Sequence, residues 1–175
     1  MPAAAAAIFA AMRKIITIIA ASLLAPALLH AQEVASDGKE VARDLGAVLA
    51  WRIGPEAVEE QCRSVDPDGN EARKKALKIW LDKNSALIAQ VDTRVAEVAP
   101  LIVPPSKKDV AVEAVRGQVK KLLLNAIFSG AAEESMAFCK GEANPASPRW
   151  NNNGMPQVPN SLAALYDWQT QQGGK

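Results

Sequence analysis

No histidine follows position 30, and the whole 175-residue chain holds only two cysteines, one tyrosine and three phenylalanines. A Ser-His-Asp triad, a Cys-His nucleophile and a histidine-built zinc site all need an imidazole, so none can be assembled beyond His30. Cys62 and Cys139 form no C-x-x-C, which removes the usual pattern of a redox-active pair. Charge of one sign is missing too: beyond residue 31 there are 18 basic and 19 acidic side chains, a net 18 − 19 = −1. Such balance gives no electrostatic footprint for nucleic acid. No alternating apolar pattern of the kind a strand needs stands out, and no later segment is long and apolar enough to span a bilayer.

What is present begins with a leader. Arg13 and Lys14 precede an uncharged run from Ile15 to Leu24, followed by Pro26 and Leu29-His30-Ala31. That order is the charged, apolar and small-residue sequence of a secretory signal peptide, and the run is shorter than the ~20 residues a transmembrane helix requires. Residues 1–31 are therefore expected to be removed after Ala31, with Ala27 as the alternative site and an uncleaved anchor as the competing reading. A start at Met12 places the basic pair directly at the N-terminus. The mature chain then spans 32–175, or 175 − 31 = 144 residues, a length suited to one domain. Its expected location is the periplasm.

Two cysteines in an exported chain predict one disulfide, Cys62–Cys139, closing a loop of 139 − 62 = 77 residues. Chain entropy makes such a loop worth about 4.5 kcal/mol.

Apolar spacing is helical almost throughout. Ser36 or Asp37 caps a first helix carrying Val41, Leu45, Val48 and Leu49, which Gly54-Pro55 interrupts; a short second helix then points Val58, Cys62 and Val65 inward. Asp66 to Asn70 form a turn. A long helix follows from Glu71 to Val98, ended by Pro100, with Leu77, Trp80, Asn84, Leu87, Val91, Val95 and Val98 on one face. After an extended connector from Leu101 to Ser106, Asp109 caps a helix bearing Val112, Val115, Val119 and Leu122. Gly130 breaks or bends it, and Lys140-Gly141 ends it beyond Phe138 and Cys139. Residues 142–160 read as a loop, Asn160 or Ser161 caps a last helix with Leu162, Leu165 and Trp168, and the tail from Gln169 frays. The fold class is an all-α, single-domain bundle of four to five helices stapled by one disulfide.

Without imidazole, carboxylates are the main remaining source of acid–base chemistry. Glu134-Ser135 with Phe138 resembles the Glu-Ser stretch of lytic transglycosylases, although the Gly-Leu-Met-Gln stretch of that family is absent. The resemblance would make Glu134 a general acid on a cell-wall glycan; a surface acidic pair is the plainer reading. Glu56, Glu59 and Glu60 sit where carboxylates favour a helix N-terminus. Asp66, Asp68 and Asn70 lack the spacing and terminal glutamate of a calcium loop. Ser36 to Lys39 matches a bare S-x-x-K with nothing to support it. Hence no catalytic, cofactor-binding or metal-ligating set is assigned.

Binding features remain. Arg73, Lys74, Lys75, Lys78 and Lys83 make one end of the long helix basic, either a solvated face or a contact for an acidic partner. Asn84, beside Trp80 on the apolar stripe, either fixes helix register or touches a ligand in an internal cavity. Trp150, Tyr166 and Trp168 lie near the C-terminus and form the candidate partner surface, aromatic residues being frequent interface anchors. The sequence thus points to an exported binding or accessory protein of inhibitor, immunity or adaptor type with an envelope protein as partner. A carboxylate-dependent cell-wall glycan hydrolase or lyase, and a small-ligand or lipid carrier, are the alternatives. Protein recovered from the periplasm should begin at Gln32 and, with its two cysteines joined, weigh two hydrogens less than its reduced form, which intact mass measurement checks.

Overall fold

Five α-helices and two short 3-10 turns make up the computed structural model, which describes residues 34–144, 147, 150 and 157–173; no strand occurs among them. The expected leader, its expected cleavage site and most of the polar stretch before residue 157 lie outside the described residues. In chain order the helices are α1 (Val34–Val65), α2 (Asn70–Ile102), α3 (Ala111–Phe128), α4 (Ala132–Glu142) and α5 (Gln157–Gly173). The chain is all-α, as its periodicity predicts.

Helix α1 is the axis of the bundle and packs against each of the other four. It is buried on almost every side: Leu45, Val48, Leu49 and Val58 are fully enclosed, and so is the small-residue row Ala42, Gly46, Ala50 and Gly54 at spacing four. This explains the first departure from the sequence reading, because Gly54-Pro55 does not interrupt the helix. A glycine and a proline inside a helix cost about 1 and 3 kcal/mol. Burial of Leu45, Leu49, Trp51 and Val58 on either side, at about 1.5–3 kcal/mol for each large side chain, offsets both. Glu56, Glu59 and Glu60 accordingly sit within a helix rather than at its start. They pair with Arg52 (3.3 Å), Arg63 (2.8 Å) and Lys120 (2.6 Å).

The 3-10 turn Pro67–Gly69 reverses the chain, and α2 runs back along α1, bringing Asp92 to Arg52 at 3.2 Å. Trp80, Asn84, Val91, Val95 and Val98 are buried on α2, while Leu77 and Leu87 are half-buried at its margin. Helix α2 passes through Pro100 and ends at Ile102, one turn beyond its expected limit, since Val98 and Ala99 are held in the core. A second 3-10 turn, Pro105–Val110, contains Asp109; the cap position of α3 belongs to Val110, with no side-chain cap bond. Helix α3 buries Ala111, Val115, Val119 and Leu123, and Arg116 reaches Asp92 at 2.7 Å.

Ser129-Gly130 and an extended Ala131 break the chain before α4, which continues past Lys140-Gly141 to Glu142. Helix α5 begins at Gln157, one turn ahead of the expected cap, because Val158 is drawn into the core with Leu165. Ser161 Oγ instead donates to Asp44 Oδ1 on α1 (3.1 Å). The tail is helical through Gly173 rather than frayed.

Truncating Leu45, which is fully buried, to alanine should cost about 3 kcal/mol in denaturant unfolding, whereas Ile79→Ala on the outer face of α2 should stay within about 0.5 kcal/mol. The Glu60–Lys120 pair joins α1 to α3, and the Lys120 hydrogen bond, then its charge, holds the Glu60 carboxyl below its ordinary 4.5. A depressed carboxyl contributes stability that is present above its unfolded pKa and lost as pH falls through the folded one. Both side chains are well exposed, so Lys120→Ala should lower stability at neutral pH by less than about 1 kcal/mol, and unfolding measured across acid pH should show that offset vanishing only below pH 4.5.

Candidate functional site

At the end of the bundle where α1 meets α2, Cys62 and Cys139 form a disulfide, with Cα atoms 5.3 Å apart, between α1 and α4. Both half-cystines are completely buried among Val58, Val65, Ile127, Phe128 and Phe138. Phe128 and Phe138 meet edge to face at 5.5 Å across the α3–α4 corner.

The residue that organises this junction is Arg73, fully buried on the first turns of α2. Its Nη1 donates to Asp66 Oδ2 (2.6 Å) and to the Cys139 carbonyl (3.1 Å). Its Nη2 donates to the Cys62 carbonyl (3.2 Å), the Asp66 carbonyl and Asn70 Oδ1 (2.8 Å). One guanidinium therefore ties the carbonyls of both half-cystines to the turn between α1 and α2. The Cys62 carbonyl also accepts from Asp66 N (2.8 Å) and the Cys139 carbonyl from Ala143 N (3.2 Å), so the guanidinium adds a further hydrogen bond to each. Asp66 and Asn70, two of the three turn oxygen donors weighed for a cation, are spent on Arg73, while Asp68 is exposed. Arg73 is thus removed from the basic face to which its sequence neighbours assign it. Lys74 and Lys78 stay on that face, paired with Glu71 (2.9 Å) and Asp82 (2.7 Å). Gly69 is needed there because a Cβ would run into Asp66 Oδ2 and Arg73 Nη1, atoms fixed by each other, and press on Ala143 at 3.2 Å.

The remaining candidates separate. Trp51 and Trp80 pack in the core with ring centroids 5.0 Å apart. Asn84 is buried and its Nδ2 donates to the Trp80 carbonyl one turn back (2.7 Å), so its amide is accommodated within α2. Trp150 is not a surface anchor: it is buried, and its Nε1 donates to the Glu142 carbonyl at the end of α4 (2.8 Å). The indole fills the core while its N–H satisfies a helix-end carbonyl, and Ser147 Oγ donates to Glu142 Oε1 beside it (3.1 Å). Glu134 is exposed on the first turn of α4, with its carboxylate folded back over Gly130. Among the described residues no group of carboxylates and thiols is arranged to hold a metal.

Tyr166 alone of the three C-terminal aromatics is well exposed, at 56 %; Trp168 is half-buried against the core. The guanidinium of Arg94 lies 4.8 Å from the Tyr166 ring centre. Arg94 also donates to Glu97 (2.8 Å) and to Gln169, so the ring is braced on a cation that is itself held on both sides.

The chain matches no family model, no curated protein and no solved structure.

Arg73→Met should leave the buried Asp66 carboxylate without its cation and cost about 3–5 kcal/mol, comparable to the loss from Cys62→Ser/Cys139→Ser. Gly69→Ala should also destabilise, unlike Gly141→Ala, where a Cβ meets nothing within 4 Å; thermal unfolding of the four variants checks the order.

Proposed function

We propose that this protein is an exported helical binding protein that uses the outer face of α5, centred on Tyr166, to engage a protein of the cell envelope as an inhibitor, immunity or adaptor component. The observation that carries this reading is the braced tyrosine. An exposed aromatic ring already resting on Arg94, which Glu97 and Gln169 hold in turn, loses little freedom on binding, which is the property of interface anchors. Trp168, two residues on and turned to the other side of the helix, docks α5 on the core. The buried cystine supports the compartment, because such a bond persists where the surroundings are oxidising; export by residues 1–31 supplies the route.

A photo-crosslinking residue placed at Tyr166 in the exported protein should yield one adduct of reproducible mass, and the same residue at Ile79 should yield none. Tyr166→Ala should weaken capture of that partner by about tenfold or more with unfolding unchanged. Equal labelling from both positions would sink the proposal.

A further inference from the structure

The end of the bundle opposite the disulfide carries a different surface. Helices α1 and α2 have 32 and 33 residues and run antiparallel, so the start of α1 and the end of α2 lie together, about 40 Å from the cystine. The 3-10 turn that joins α2 to α3 caps this end. Leu101 and Val110 are 48 % and 56 % exposed, two of the four large apolar side chains that stand out from the described surface. Pro104, Pro105, Lys107 and Lys108 are exposed between them, and neither lysine has an ion-pair partner among the described residues.

Three properties of this tip fit one kind of partner. The apolar and cationic side chains are interleaved on one short turn, the arrangement that seats side chains at a headgroup boundary while cations meet phosphate. Asp109 trims the charge by one but leaves the lysine pair in excess on the turn. The backbone is cheap to remove from water, since the prolines bring no N–H, Lys107 N donates to the Pro104 carbonyl (2.8 Å) and Ala111 N to the Lys108 carbonyl. The tip also lies at the end where α1 begins, which is where the apolar run Ile15–Leu24 leads into the fold. On the export reading, a chain still joined to that run during translocation presents this end to the bilayer.

We infer that the tip formed by Leu101, Pro104, Pro105, Lys107, Lys108 and Val110 is a contact site for an anionic phospholipid surface. It shares no residue with the α5 face, so the two can be tested apart.

The test is flotation of the protein recovered from the envelope fraction with vesicles of phosphatidylcholine and phosphatidylglycerol at roughly seven to three, against phosphatidylcholine alone; that proportion approximates an anionic leaflet. The protein should float with the anionic vesicles only and be released by salt. Lys107→Gln/Lys108→Gln should weaken partitioning on the order of 30-fold. Val110→Asp should weaken it as well, and because aspartate is favoured at a helix cap, that variant keeps its fold. Lys75→Gln/Lys83→Gln at the other end of α2 should change nothing, and neither should Tyr166→Ala. Absence of flotation, equal flotation with neutral vesicles, or loss through the Lys75/Lys83 variant in place of the Lys107/Lys108 one would each overturn the inference.

Discussion

The guanidinium of Arg73 sits where three chain segments converge, and its hydrogen bonds join the end of α1, the turn after it and the half-cystine of α4. A charge this deeply buried is tolerable only when it is paired and hydrogen-bonded, and here two side-chain oxygens and three carbonyls receive its two terminal nitrogens, while the buried Nε has no hydrogen-bond partner among the described residues. The disulfide gives the same junction a covalent tie. Gly69 follows from it, since the turn can approach the ion pair only without a Cβ. Loss of Arg73 would leave the buried Asp66 carboxylate without its cation and remove the ties to the carbonyls of both half-cystines.

From that junction the bundle extends along α1, whose burial on almost all sides sets the roles of the other helices. Helices α2 and α3 are bridged by Asp92, which takes Arg52 on one side and Arg116 on the other. Helix α5 is held by Ser161 on Asp44 and by Arg94 on Gln169. Those contacts leave its outer face to solvent with Tyr166 upon it. The two proposed contact regions therefore occupy different places on one rigid frame: an aromatic face along α5, and an apolar and basic tip at the end away from the cystine.

Much of this was legible in advance because it follows from local periodicity. The helical stripes through Val41 to Leu49, Trp80 to Val98 and Val112 to Leu122, the Asp66–Asn70 turn and the Cys62–Cys139 pairing needed only side-chain spacing and the redox logic of a chain expected to be exported. The candidate sites were less legible. Arg73 stands in a run with Lys74 and Lys75, and only its helical phase, three residues before buried Ala76, hinted that it faces inward. Trp150 looked like an interface anchor because its neighbours are polar, yet its indole N–H had a carbonyl waiting at the end of α4.

The sequence by itself determined the helical class, the Asp66–Asn70 turn, the break at Gly130 and which cysteines join, since these depend on residue types and spacings along the chain. Tertiary structure decided how far each helix runs and which polar groups lie inside. Helices α1 and α2 continue through Pro55 and Pro100, and α4 through Gly141, because contacts from other helices outweigh a local helix penalty that sequence rules count alone. Arg73 is buried because Asp66, Asn70 and the carbonyls of Cys62 and Cys139 converge on one point, and residue 139 reaches it only when the whole bundle has closed.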